Sequence, residues 1–552
     1  MMTNPLYLFS LDVLDTRLTP ESQEKLNQNK RNATQSRWWT LEFFVYYAIF
    51  ITVVPQMFLA AMSATNEKSV NYHLFEDRLE QGWIFGRKVD NSDAQYAGFR
   101  NKLPILAAAV ILHYILRRTA NALGIRRRVF DVGFAAIFLA VLHGFSTLKI
   151  LTLYLANFLI SKSLKKGTGM LVTWAFNIVV LFLNESYEGY KFGSLVPGLA
   201  ILDGYCGLLP RWDVNFNFSV LRMISYNYDY YESLDNPDDI EKKQLDDPIS
   251  EGDRIRVGPP KADYNFFNYL AYLVYTPLYI AGPILTFNDF IYQSKHPLPS
   301  VSSKRTLLYG LRVLFCILVM EWLLHYMYVV ALSGARVWTG LSPLQISMVG
   351  FFNLKTIWLK LLIPWRFFRL WALLDEIDPP DNMLRCMSNN YSASAFWRSW
   401  HRSYNRWVTR YLYIPLGGAK HAIRNMLIVF TFVAVWHDIQ LRLLAWGWLI
   451  TLFVIPEVAA KLIFPAKKWG TKPIYRHMCA IGGVANIYML MLANLVGFAV
   501  GLDGLRDMLR DIFSTWMGIP YFLFTSACLF VGVQVMFEVR AQEARQGINL
   551  RC

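Results

Sequence analysis

Apolar runs recur from about Trp38 to residue 537, and several of them are of membrane-crossing length. They occupy about 38–62, a stretch from 103, then 130–146, 148–161, 169–184, 195–209, 264–285, 306–332, 342–363, 423–437, 441–463, 475–500 and 519–537. A helix that crosses a bilayer needs about 18–20 mostly apolar residues. Strands of a membrane barrel would alternate apolar and polar residues, and these runs do not. The chain therefore reads as an all-α polytopic membrane protein with roughly eleven to thirteen membrane helices. Only 17% of its residues are charged, against about 25% in a soluble chain. The run at 195–209 carries Pro197, Gly198, Gly204 and Gly207, and is expected to be broken or re-entrant.

The organisation follows from the runs. Residues 1–37 form a polar N-terminal tail, 38–538 a membrane domain and 539–552 a charged C-terminal tail expected to be helical. No short apolar region with a small-residue cleavage site precedes Trp38, so no cleaved signal peptide is expected and the first run acts as a signal anchor. Arg117, Arg118 and Arg126 to Arg128 follow the second run and mark a cytosolic loop. The polar loop 64–102 would then be luminal, and glycosylation of the Asn32-Ala33-Thr34 sequon would reverse that orientation. Within the membrane domain, 210–263 opens as an aromatic segment suited to the interface and continues into an acidic loop from Glu232 to Asp247.

A net charge of +15 would suggest nucleic acid for a soluble protein. Here the basic residues sit mostly beside apolar runs, where they set topology and meet lipid headgroups, and no nucleic-acid motif accompanies them. The six cysteines are scattered without ligand spacing, so neither a disulfide framework nor a metal site is expected. Hydrolase elbows, zinc-protease motifs and phosphate loops are lacking.

One polar stretch interrupts this background: FWRSWHRSYNRWVTRYLYIPLGG, from Phe396, followed by an apolar run that ends in Val-Trp-His-Asp at Asp438. Polar, titratable residues inside membrane segments cost free energy and tend to mark function. If 394–412 is one helix, Arg398, Arg402, Arg406 and Arg410 form a basic stripe, beside an aromatic stripe of Phe396, Trp400, Tyr404, Trp407 and Tyr411. The stripe fits an interfacial anchor whose arginines reach lipid phosphates, or a site for the phosphates of a coenzyme or lipid donor. Pro415, Gly417 and Gly418 would end the helix and let the chain re-enter the membrane. His437 closes the following run. A neutral imidazole can take a hydroxyl proton as a general base, while spacing alone leaves a simple packing role open. Asp438, the next residue, points elsewhere on a helix.

This stretch resembles the membrane-bound O-acyltransferase (MBOAT) family, in which an Asn, Asp or His precedes a membrane-embedded His. The matching positions are Asn405 and His437. The segments NFNFSVLRMISYNYDYYES and YNFFNYLAYLVYTPLYIAGPILTFNDF are similar to the fungal glycerol uptake protein branch, related to the hedgehog acyltransferases. The resemblance implies helices around a catalytic tunnel, with His437 and Asn405 catalytic and Trp397, Arg398, His401, Arg410 and Trp436 binding substrate or supporting the site. It implies acyl-CoA as co-substrate, no bound cofactor, and a lyso-lipid acceptor, above all a lyso-glycosylphosphatidylinositol (lyso-GPI) anchor. Residence would be the endoplasmic reticulum membrane, with the plasma membrane as an alternative. Two other activities stay open at this stage: glycerol transport coupled to protons, and protein acylation of the hedgehog type, in which relatives carry Asp where this chain has Asn405.

Overall fold

A computed structural model of the chain describes residues 34–235, 251–514 and 516–546, together with Asn27. The Asn32 sequon, most of the acidic run and Cys552 lie outside the described residues. Helices dominate: α1 Leu41–Thr65, α2 Ala94–Ala122, α3 Arg127–His143, α4 Ser146–Ser163, α5 Lys166–Ser186, α6 Trp212–Asp235, α7 Ser303–Tyr326, α8 Pro343–Leu374, α9 Ala393–Ser399, α10 Arg402–Val408, α11 Ala422–His437, α12 Leu441–Ile463, α13 Pro473–Asn494, α14 Gly501–Phe513 and α15 Gly518–Arg545, with short helical turns between them. A two-residue hairpin pairs Glu80–Gln81 with Lys88–Val89.

Among the described residues, nine helices are long and apolar enough to cross a membrane. Four expected runs are not among them. The two at α3 and α4 carry Arg127, Arg128, Asp131, Lys149 and Lys162. The run at 195–209 is a 3-10 helix, Pro197–Gly204, and that at 264–285 breaks into Phe266–Leu273 and Thr276–Tyr279 before Gly282 and Pro283. The second span also begins earlier than the apolar pattern, at Ala94, because the Asp93 carboxylate accepts the Tyr96 N–H and caps the helix. The C-terminal helix runs through the charged tail to Arg545, as its composition suggests.

The centre of the bundle is α8. It starts on a capping box, in which Ser342 and Gln345 satisfy each other's end of the first turn and Pro343 occupies the first helical position. Of its apolar window, 78% is buried, whereas only 17% of that of α1 is. Exposed Phe44, Ile51 and Leu59 on α1 are the surface a bilayer covers. Two large apolar clusters form the interior. One surrounds Ile346, Trp358 and Leu362 of α8, and the other surrounds Phe216, Leu221, Trp407 and Trp436.

The second cluster corrects the interfacial reading of 210–235. The helix α6 does not offer its aromatic residues to lipid headgroups: 16 of its 24 residues are buried against other helices. Its polar side chains are tolerated there because neighbouring helices satisfy them. Ser219 pairs with Tyr154 at 2.8 Å, Asn227 reaches the Thr173 hydroxyl at 2.9 Å and the Asn157 carboxamide at 3.2 Å, and Arg222 donates to the Leu273 and Leu278 carbonyls. Asp229 accepts from Arg410 at 3.0 Å and from Tyr411 at 2.9 Å.

Candidate active site

The stretch 394–412 is not one helix. The helix α9 is fixed at its start by Ser392, whose hydroxyl accepts the Ala395 N–H, and by the Glu457 carboxylate of α12. Glu457 receives the Ser392 and Ser394 hydroxyls at 2.6 and 2.7 Å. An acid at a helix N-terminus also favours the helix dipole. The chain then breaks at His401, whose backbone is left-handed, φ 44° and ψ 52°. Such a conformation is uncommon for any residue other than glycine and persists where the surroundings impose it. Here Asn382 imposes it, because its carbonyl and its side-chain oxygen take the Arg402 and Ser403 N–H groups at 3.1 and 3.0 Å. The Ser403 hydroxyl in turn receives the Ile284 N–H at 2.9 Å. A π-helical turn, Thr409–Tyr413, follows α10.

The break dismantles both stripes. Three of the four arginines turn inward or pair internally: Arg402 is buried, Arg406 pairs with Glu251, and Arg410 pairs with Asp229 and, at 2.7 Å, Glu232. Arg398 alone is exposed, donating to the Ser394 carbonyl. The aromatic residues stack on each other instead of facing lipid. His401 lies between Trp365 at 4.7 Å and Tyr404 at 5.3 Å, both nearly parallel to it, and Tyr404 stacks on Trp436 at 4.6 Å. Trp436 meets His437 edge-on at 4.7 Å. A column of rings thus runs Trp365, His401, Tyr404, Trp436, His437. Offset or edge-on ring pairs contribute about 0.5–1.5 kcal/mol each beyond buried area.

His401 lies outside the candidate spans. Its Nε2 is buried with no hydrogen-bond partner among the described residues. Burial, helped by the nearby His437, pushes its imidazole down to about 3.

The end of α11 is held by α6. Asn217 donates its carboxamide N–H to the Trp436 carbonyl at 3.0 Å, and Trp436 donates its indole N–H to the Asn217 carbonyl at 2.8 Å. The helix stops at His437 because Asp438 is extended. The glycine turn before α11 behaves as its sequence suggests: Gly417 and Gly418 have φ of 97° and 56°, and buried Asn425 ties the turn to its own helix through the Leu416 and Gly418 carbonyls.

His437 is not packed in apolar surroundings. It opens on a cavity of about 280 Å³ shared with Asn184, Glu185, Arg211, Asp213, Asn217 and Asp438. No hydrogen bond links its imidazole to the described residues, so the ring is free to bond a group that enters the cavity. Asp438 lines the same cavity as His437, with its carboxyl within hydrogen-bonding reach of Glu185. Arg211 and Asp213 pair at 2.8 Å in the same wall. Asn184 is 2% exposed, yet neither atom of its carboxamide has a partner among the described residues.

The predicted residues therefore fall into groups. His401, Trp436 and His437 belong to one ring column. Asn405 lies one turn beyond His401 on α10, partly buried, with its carboxamide unpaired among the described residues; no hydrogen bond joins it to His437. Trp397 packs apart from the column, against Phe396, Trp400, Phe430 and Trp446. Arg398 and Arg410 stand outside it as well. Tyr404, Trp365, Asn184 and Asn217 were not singled out by the sequence. Only Tyr404 had a signal, its place in the aromatic pattern three residues after His401.

Comparison with known proteins meets this geometry at its centre. The model of the membrane-bound O-acyltransferase family matches residues 210–502, a span that includes α6, Asn405 and His437. The chain belongs to the MBOAT family. It is 51% identical to the membrane-bound O-acyltransferase GUP1 of Candida tropicalis, over all of this chain and 96% of that protein. It is 46% identical to GUP1 of Saccharomyces cerevisiae, over 99% of this chain and 98% of that one. A more distant relative is the mouse protein-cysteine N-palmitoyltransferase HHAT, 30% identical over 44% of this chain and 52% of the relative. This MBOAT is a multi-pass membrane O-acyltransferase of the fungal glycerol uptake protein group.

Proposed function

We propose that this acyltransferase moves a long or very long fatty acyl chain from acyl-CoA to the free hydroxyl of a lyso-lipid, a lyso-GPI anchor in the endoplasmic reticulum membrane. The observation that supports the reading is the unpaired His437 imidazole opening on a polar cavity at the end of a membrane helix. The acceptor oxygen attacks the thioester carbonyl as its proton passes to the imidazole. The carbon–sulfur bond then breaks, and the coenzyme thiolate leaves with that proton. Asn405, whose carboxamide is free to donate, stabilises the oxyanion of the tetrahedral state. His401, Tyr404 and Trp436 hold the two regions in register. The CoA phosphates are left to Arg398 and other basic residues, since Arg410 is already paired. A tunnel reaching both leaflets would bring a cytosolic donor to a luminal acceptor.

GPI anchors extracted from cells carrying wild-type protein or His437→Ala test the reading. Accumulation of lyso-anchors only in the variant, at equal protein level, is the expected result. Identical anchor lipids in both would contradict the acceptor assignment. Turnover of another lyso-lipid with unchanged anchors would keep the enzyme and replace its substrate.

A further inference from the structure

A second cavity, of about 370 Å³, is lined by Arg442 on the first turn of α12, just after Asp438 and Ile439, which line the first. Its wall includes Ser333, Gly334, Arg336, Arg442, Gly501 and Asp503. Arg442 follows His437 by five positions, so both cavities open at the same end of the bundle. Most of the described arginines pair with carboxylates or bond to carbonyls. Arg336 and Arg442 are exposed and have neither kind of partner among the described residues. A third, Arg78, is in the same state, and its Nη1 lies 2.8 Å from where a Cβ would sit on Gly334. The Ser333 hydroxyl is buried in a residue 3% exposed, without a partner. The N-terminus of α14, with Gly501 at φ 73°, completes the wall.

The cavity also has a definite depth. Candidate membrane helices begin at Leu441 and end at Ala499 beside it. The adjoining α14 buries Gly504, Met508 and Ile512 and exposes Leu502, Leu509 and Phe513, with Trp516 and Ile519 exposed just beyond. Such a helix lies in the plane of the headgroups. Unpaired guanidinium groups, a free hydroxyl and a helix N-terminus at that depth are donors awaiting an anion. Asp503 in the same wall disfavours a polyanion and leaves room for one phosphate, with any amine of the headgroup beside the carboxylate.

We propose that this cavity binds the phosphodiester headgroup of a membrane lipid, in the leaflet at the His437 end, as a site separate from the acyl-transfer cavity. The full chain in detergent is offered phosphatidylethanolamine, or diacylglycerol of the same chains, and bound lipid is counted by native mass spectrometry. Wild type is expected to retain the phospholipid over diacylglycerol. R336Q/R442Q is expected to weaken retention by about tenfold, as loss of two charge-assisted contacts predicts. Arg126→Gln, at the opposite end, should change nothing, and R336K/R442K should restore part of the loss. Equal retention by wild type and R336Q/R442Q, or equal binding of diacylglycerol, overturns the proposal. Displacement of the phospholipid by millimolar inorganic phosphate would make the ligand a soluble phosphate and overturn the lipid assignment. Acyl-transfer activity is not the readout, so failure of the proposed reaction leaves this test intact.

Discussion

Two polar regions lie inside this apolar chain, and the fold treats them in opposite ways. Around α6, buried polar groups meet partners from other elements: Asn227 with Asn157 and Thr173, Asp229 with Arg410 and Tyr411, and Ser225 with Tyr411 at 2.8 Å. Around His437 the reverse holds. The imidazole, the Asn184 carboxamide, the Asn405 carboxamide and the His401 Nε2 have no partner among the described residues. The difference teaches how to read polarity in a membrane chain. Polar residues that satisfy one another hold helices together. Of those left unsatisfied, His437 and Asn184 line the first cavity, where a bound molecule can supply the missing partner.

The largest test of this contrast is Asp229→Ala. It leaves the partly buried Arg410 with Glu232 as its remaining counter-charge and removes the acceptor of the Tyr411 hydroxyl, and should destabilise the protein by about 3 kcal/mol. Thermal unfolding in detergent reads it. A melting temperature equal to wild type would show that the α6 network is not structural. A smaller pair sharpens the same point. Asn227→Ala removes hydrogen bonds to Asn157 and Thr173 and should cost about 1–3 kcal/mol. Asn184→Ala removes none, so its melting temperature should stay near wild type while the KM for the acceptor rises. Equal destabilisation by the two would erase the distinction between the regions.

The effect that is smallest near neutral pH and grows on acidification comes from His401. His401 is held at about 3 in the folded protein, against an ordinary 6.5. Between those values the unfolded chain binds a proton that the folded one does not. This contribution to stability is therefore complete above about 6.5 and is lost as pH falls towards 3. His401→Gln should flatten that part of the melting-temperature profile. An unchanged slope would show that His401 is not buried neutral.

How much of this was legible in the sequence depends on the range of the forces involved. The helices were, because apolar length is local, and so was the turn at Gly417 and Gly418, because positive φ selects glycine. The break at His401 was not. A left-handed histidine is held by Asn382, on a separate loop, and i, i+4 spacing runs straight through it. The burial of α6 was hidden for a similar reason: an aromatic, polar segment reads as interfacial until Asn157, 70 residues from Asn227, supplies its partner. His437 was found as the end of an apolar run, but the opposite wall of its cavity comes from α5 and α6, which no local pattern connects to it.

The central claim is that the unpartnered His437 performs the chemistry and contributes little to the fold. Purified wild-type protein and His437→Ala, reconstituted in the same lipid, are compared for transfer of a labelled acyl group from acyl-CoA to a lyso-lipid, with melting temperatures measured in parallel. Loss of transfer by a hundredfold or more, roughly the weight of a general base, with an unchanged melting temperature, is the predicted result. Retained transfer in the well-folded variant, or loss that follows unfolding, would contradict it.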